Sequence, residues 1–244
     1  MSKKKIIGLI PSRWGSTRFP GKPLALINGK TMISRVYERC SLCKDLDQTF
    51  VVTDNDEIIS ECESNNMNSI LIKEECNTGT DRIALASKDL QADIFVNIQG
   101  DEPLIDPEGI SKVVQSLVKE DDNVVASNAY TLIKEPYKVV DSDVVKVAFD
   151  KNEHAMFFSR SPIPNPKASN TIFYQQLGLY AFKKESLEKF SSLRQGLLEM
   201  SEGVEMFRFI ENGFNLKMVK VEDVGLSVDS PKDIKTIEDF LKNQ

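Results

Sequence analysis

The sequence predicts an α/β fold built on a mostly parallel, doubly wound sheet, and three observations predict it. Short apolar runs of strand length alternate with segments of helical periodicity through the N-terminal part of the chain. Those runs are continuously apolar, as in strands buried on both faces of a parallel sheet. They end in loops rich in Gly, Pro and charged residues, at the sheet edge where open α/β folds place their ligands.

Lys5–Ile10 is the first such run and stops at Pro11. After a polar loop, Thr31 caps a helix that carries Ile33, Val36, Tyr37 and Cys40 on one face, and Thr49–Thr53 forms the next strand. A helix over 56–64, a strand over 69–72, a helix over 81–90 and a strand over 93–98 continue the rhythm. Past Pro107 the pattern changes. A helix over 108–119 precedes β-rich stretches at 124–131, 143–149 and 172–182, which read as an insertion of mixed or antiparallel strands. Helices at about 185–190 and 200–212, a strand over 216–221 and a last helix opening at Pro231 behind Ser230 complete the chain. At 244 residues, one domain spanning 1–244 with a mixed-strand insertion at about 124–184 suits the length.

Composition excludes several classes. A net charge of −6 argues against a surface that coats nucleic acid, which needs many Lys and Arg contacts to phosphate. No apolar run approaches the roughly 20 residues that span a bilayer, and Ile6–Pro11 is too short for a signal-peptide core. A soluble cytoplasmic protein without membrane insertion is expected. Cys40 and Cys43 make one C-x-x-C pair, but Cys62 and Cys76 are separated too widely to complete a zinc knuckle, and all four read as buried thiols in a reducing compartment. The one histidine, His154, reads as structural or surface, which leaves little for a His-dependent nucleophilic mechanism.

Two loops carry the chemistry. Pro11-Ser-Arg-Trp-Gly-Ser-Thr-Arg-Phe-Pro-Gly-Lys-Pro23 puts Arg13, Arg18 and Lys22 directly after the first strand, with Gly15, Ser16 and Thr17 able to turn backbone N–H groups toward an anion. This reads as a polyphosphate site, or as a solvated basic loop; neither a Walker A pattern nor G-x-G-x-x-G occurs. Val96-Asn-Ile-Gln-Gly-Asp-Glu-Pro103 runs a buried strand into an acidic turn at the same edge, where Asp101 is either a hard ligand for magnesium or simply a turn residue. Asp229, in Leu226-Ser-Val-Asp-Ser-Pro231, could share such an ion or cap the last helix. Thr53-Asp54 and Thr78-Gly-Thr-Asp-Arg82 are polar clusters at strand ends suited to a base, ribose or phosphates.

Taken in order, Arg13-x-x-Ser-Thr-Arg-x-Pro-Gly-Lys-Pro23, Thr53-Asp54, Gly79-Thr-Asp-Arg82, Gln99-Gly-Asp-Glu-Pro103, Phe158-Ser-Arg-Ser-Pro-Ile-Pro164 and Val228-Asp-Ser-Pro231 resemble the 3-deoxy-manno-octulosonate cytidylyltransferases nearly end to end. The first motif separates them from the sialic-acid cytidylyltransferases. The resemblance implies a Rossmann-like nucleotidyltransferase fold, dimeric through its β-rich insertion, that joins the CMP of CTP to the sugar acid Kdo for lipopolysaccharide synthesis. It implies Arg13, Arg18 and Lys22 on the triphosphate, Pro11, Thr53, Asp54, Thr80, Arg82 and Gln99 around the nucleotide, and Asp101 and Asp229 on Mg2+. Arg13, Lys22, Asp101 and Asp229 would then form the catalytic set. Gln99, Ser159, Arg160, Gln176, Tyr180 and Glu205 fall where the family meets its sugar, and the planar fork of Arg160 suits a carboxylate.

Two positions depart from the family pattern. Gln176 stands where His is usual, in Gln175-Gln-Leu-Gly-Leu-Tyr180, and Met206 stands where an amide is usual, in Glu205-Met-Phe-Arg208. Both lie on the sugar side. They leave open whether the acceptor is Kdo itself, an 8-amino-8-deoxy analogue or another 3-deoxy-ulosonic acid.

Overall fold

The computed structural model describes residues 3–15, 19–222 and 226–243. The described residues form two compact units, one within 1–111 and 223–244, the other within 112–222.

The first unit opens with β1 (Ile6–Ser12), in which Ile7, Leu9 and Ile10 are wholly buried. A short hairpin follows, β2 (Leu26–Ile27) and β3 (Lys30–Thr31), turned by Asn28 and Gly29 at φ 45 and 76°. Both central residues of a tight hairpin need that left-handed conformation, and Asn-Gly supplies it at low cost. Then α1 (Met32–Ser41) starts where Thr31 Oγ1 accepts from Ser34 N, and it buries Ile33, Val36 and Cys40. β4 (Gln48–Thr53), α2 (Asp56–Ser64), β5 (Ser69–Leu71), α3 (Gly79–Ser87) and β6 (Ile94–Ile98) follow in turn. Their sheet has the order β6-β1-β4-β5, all parallel. Its strands are short and largely apolar, and each central apolar side chain that leaves water contributes about 1.5–3 kcal/mol. α9 (Pro231–Lys242) also belongs to this unit, and the boundary with the second unit falls within α4 (Pro107–Lys119).

The second unit holds β7 (Val124–Leu132), α5 (Pro136–Val140), β8 (Lys146–Phe149), β9 (Ala155–Ser159), β10 (Tyr174–Lys183), α6 (Lys184–Ser192), α7 (Leu197–Glu202), α8 (Phe207–Ile210) and β11 (Asn215–Lys220). β11 pairs with β7 in parallel, whereas β7–β10, β10–β8 and β8–β9 are antiparallel, as expected for a mixed-strand region. The β-rich stretch expected at about 124–184 lies inside this unit, which continues to 222. Phenylalanines 158, 182, 190, 207 and 209 form much of its core, with Phe190 and Phe209 edge to face at 5.4 Å.

Several expected elements shift. The helix expected over 200–212 is two short helices, because Gly203 at φ 62° ends α7 in a left-handed turn. The helix expected over 81–90 begins at Gly79, since Thr78 Oγ1 accepts from Asp81 N and caps it. β9, α5 and the β2–β3 hairpin were not expected. No described helix is long and apolar enough to cross a membrane.

Candidate active site

Loop geometry after β1 is set by Trp14 and Gly21. Gly21 N donates to Trp14 O (3.3 Å), which closes the loop on itself. Gly21 sits at φ 69°, a left-handed conformation that calls for glycine, and a Cβ there would only touch the Trp14 indole at 3.4 Å. Arg13 is exposed at the start of this loop and Pro11 half-buried at the end of β1. Ser16, Thr17 and Arg18, the middle of the basic loop, lie outside the described residues.

Lys22 gathers three segments. Its Nζ donates to Asp101 Oδ2 (2.7 Å) and to Val228 O (2.8 Å). Val228 N in turn donates to Asp101 O (3.0 Å), so the acidic turn after β6 and the strand-like segment before α9 run side by side. Beneath them Ile27, Met32, Val228 and Ile237 form a buried apolar cluster, joined by Phe19, Leu104, Leu226 and Ile234. That cluster explains why residues 206 positions apart meet: each segment contributes an apolar side chain below and a polar group above. Asp229, beside Val228, is exposed. Its own N–H donates to Asp233 Oδ2 (2.9 Å), which also accepts from Ser230 N (2.7 Å) and fastens the start of α9.

A second knot lies at the end of β4. Asp54 Oδ1 accepts from Trp14 N (3.3 Å), and Asp54 Oδ2 accepts from Arg82 Nη2 (2.9 Å). Arg82 is nearly buried and also donates to Ile72 O (2.8 Å), so it works as a strut between α3, β5 and the loop after β1. Thr53 and Thr80 are wholly buried. Thr53 Oγ1 accepts from Asn55 N (3.2 Å), and Thr80 Oγ1 accepts from Asn97 Nδ2 (3.0 Å). Gln99 is half-buried just past β6. At Gly100 a Cβ would stand 2.8 Å from Ser12 Oγ and 3.1 Å from Pro11 O, so the turn after β6 can lie against the end of β1 only with glycine there.

In the second unit, Ser159 and Arg160 are held by Glu202. Glu202 Oε1 accepts from Ser159 Oγ (3.2 Å) and Oε2 from Arg160 N (2.8 Å). The Arg160 guanidinium donates to Glu202 O (2.7 Å) and Ser142 O (2.7 Å). Gln176 and Tyr180 flank a bulge in β10, where Gln176 Nε2 donates to the Tyr180 hydroxyl (2.7 Å). Glu205 is half-buried before α8. Met206 is wholly buried in the aromatic core, so its side chain packs and presents nothing to solvent.

The expected residues thus fall into clusters: Lys22 with Asp101 and the 228–229 segment; Arg82 with Asp54; Thr80 on Asn97; Ser159 with Arg160; Gln176 with Tyr180. Asn97, Glu202 and the peptide of Val228 were not singled out from sequence. A polar residue inside the apolar run Ile94-Phe-Val-Asn-Ile98 is a signal that could have marked Asn97; a backbone carbonyl leaves none. Cys40, Cys43 and Cys62 are buried free thiols, and Cys76 is half-buried. Burial pushes the Cys62 thiol up to about 11. His154 bridges β11 through its backbone opposite Lys217, and its N–H donates to Asp150 Oδ1 (2.8 Å), a structural role. Among the described residues, no group of three or more His, Cys, Asp or Glu is arranged to hold a metal.

A parallel α/β unit with a basic loop and carboxylate at the ends of β1 and β6 has the layout of a nucleotide-handling fold. The cytidylyltransferase family model matches residues 7–224. A 3-deoxy-manno-octulosonate cytidylyltransferase of Solibacter usitatus is 40% identical over 241 residues, covering 98% of this chain and 95% of the relative. Another from Desulfatibacillum aliphaticivorans is 39% identical, covering 98% of this chain and 100% of the relative. A solved CMP:2-keto-3-deoxy-manno-octonic acid synthetase complexed with CTP superposes with a TM-score of 0.93 at 30% identity, over 98% of this chain and 99% of that one. The chain belongs to the cytidylyltransferase family, among the 3-deoxy-manno-octulosonate cytidylyltransferases. Its fold is accordingly the Rossmann-like nucleotidyltransferase fold expected from the sequence.

Proposed function

We propose that this enzyme transfers CMP from CTP to the anomeric hydroxyl of a 3-deoxy-ulosonic acid, Kdo or a close analogue, giving the CMP-sugar and pyrophosphate for lipopolysaccharide synthesis. The observation that carries this reading is the Lys22 clasp. It sets a cation, a carboxylate and a second acidic segment at the carboxyl ends of two adjacent parallel strands. Lys22 and Asp101 neutralise each other at 2.7 Å, and each has a partner of opposite sign in a metal–triphosphate complex.

Asp101 and Asp229 are the residues that would hold Mg2+. The donor set fits: both are hard oxygen ligands, on segments joined by the Val228 N–H to Asp101 O bond. Magnesium characteristically takes one or two carboxylates and completes its shell with phosphate oxygens and water. When bound, the ion supplies charge stabilisation at the phosphates. The protein's own part is positioning and electrostatics. Arg13, Arg18 and Lys22 stabilise negative charge on the pyrophosphate as it leaves, while the sugar hydroxyl attacks the α-phosphorus in line. Pro11, Thr53, Asp54, Thr80, Arg82 and Gln99 border the nucleotide; buried Thr53 and Thr80 do so by shaping its floor, and the Asp54–Arg82 pair by fixing the loop. Ser159, Arg160, Gln176, Tyr180 and Glu205 take the sugar acid, Arg160 its carboxylate.

Homodimerisation through the mixed-strand insertion at 124–184 belongs to the same reading. It is supported by large apolar side chains left exposed there, Tyr137 at 65%, Val140 at 73%, Met156 at 62% and Ile172 at 56%. Cytoplasmic residence is supported by the buried free thiols, which suit a reducing compartment.

The test is pyrophosphate release by purified protein with CTP, magnesium and a panel of 3-deoxy-ulosonic acids. Turnover with at least one acid, abolished in a folded Asp101→Asn variant, is expected. Release with other nucleotides but not CTP, or an active Asp101→Asn variant, would overturn the reading.

A further inference from the structure

The second unit carries a polar cluster inside its sheet. Asn128, in the middle of β7, is wholly buried and lies directly opposite Tyr180 of β10; two positions along, Tyr130 lies opposite Gln176. Between those pairs β10 bulges, with residues 177–179 spanning what Ala129 alone spans on β7. A bulge of this kind takes backbone groups out of the ladder and leaves them in need of other partners. Asn128 provides them, since its Nδ2 donates to Leu177 O (2.8 Å) and to Leu179 O (3.0 Å). The double donation also settles which end of the amide faces the bulge, because an oxygen there would confront two carbonyls. Gln176 Nε2 donates to the same Leu177 O (2.9 Å) and to the Tyr180 hydroxyl (2.7 Å). Asn128, the bulge, Gln176 and Tyr180 are therefore one hydrogen-bonded assembly.

The opposite end of the amide, Asn128 Oδ1, is buried without a hydrogen-bond partner. A buried acceptor without a partner in the protein is a cost to the fold. Packing alone does not account for an amide at such a position; its grip on the bulge does. We infer that Asn128 is a positioning residue that sets acceptor specificity: by clamping both bulge carbonyls it fixes the spacing and orientation of Gln176 and Tyr180. The inference rests on the assignment of those two side chains to the sugar acid made above. It places one determinant of which 3-deoxy-ulosonic acid is accepted in a residue that contacts none.

The experiment compares wild type, Asn128→Leu and Asn128→Ser in pyrophosphate release, with KM measured separately for CTP and for two ulosonic acids that differ in one exocyclic group. Leucine removes both donors at similar volume, and serine keeps one. Asn128→Leu is expected to raise KM for the preferred acid by about tenfold to a hundredfold, the scale of a small misplacement of a binding group, while KM for CTP stays within about twofold. The preference between the two acids should narrow, and Asn128→Ser should fall between. A folded variant with unchanged KM for the acids, or with equal losses for acid and CTP, overturns the inference. So does failure of both variants to fold, which would make Asn128 a residue of the fold. Wild type inert toward every acid with CTP would instead remove the substrate assignment, a failure visible before any variant is made.

Discussion

The two units treat buried polarity in opposite ways. Among the described residues of the first, the buried polar side chains are hydroxyls, the amide of Asn97 and a single charge, Arg82. The second buries three charged side chains, Lys146, Glu199 and Arg208, together with the amides of Asn128 and Gln176. Arg208 grips Glu199 through two bonds, Nη2 to Oε1 at 2.6 Å and Nε to Oε2 at 2.9 Å, and lies 4.0 Å above the Phe190 ring. Lys146 donates to the carbonyls of Asp141 (2.8 Å), Val144 (2.7 Å) and Arg160, and burial holds its pKa below the ordinary lysine range. The parallel unit thus draws its order from repeated apolar layers, with Lys22, Asp54 and Asp101 beyond the strand ends. The mixed unit has no such repetition. Its irregular segments are held in one arrangement by internal bonds that no other arrangement would satisfy.

If that contrast is right, charge removal should cost stability in one unit and activity in the other. The largest effect is expected at Glu199→Ala, which removes both carboxylate bonds to the buried Arg208 guanidinium. Chemical denaturation should show a loss of about 3–5 kcal/mol, and a loss below about 1 kcal/mol would break the comparison. Next comes Lys22→Met in the first unit. Its turnover should fall by about 10²–10³-fold, as when one donor to developing charge is removed, with the unfolding midpoint nearly unchanged. A large stability loss there would show that the clasp is structural. The smallest is Asn55→Ala. Asn55 Oδ1 accepts from Glu57 N (2.8 Å) and Ile58 N (3.2 Å) at the start of α2, and its loss should cost about 1 kcal/mol without changing KM for CTP.

The same contrast explains what could be read without coordinates. α2 was expected over 56–64 and spans Asp56–Ser64, and the cap at Thr31 was legible too, because periodicity and capping are local. In the second unit the break at Gly203, a left-handed glycine cap, and the strand Ala155–Ser159, a hairpin partner of β8, are local too, but their signals are short and were not read. The β2–β3 hairpin was legible in principle from Asn28-Gly29, a strong turn signal masked by strands only two residues long. At the site, Lys22 and Asp101 could be placed at strand ends from their loops. That Val228 lends its carbonyl to one and its N–H to the other could not, since it follows from the cluster of Ile27, Met32 and Ile237 beneath.

Asp54 carries a consequence for how this chain can diverge. One carboxylate serves Trp14, forty positions earlier, and Arg82, twenty-eight positions later, with one oxygen for each. The first loop and the start of α3 are therefore not independent modules. A descendant that reshaped one would inherit a mismatch in the other, so paired changes at both ends of this tether are the route open to it.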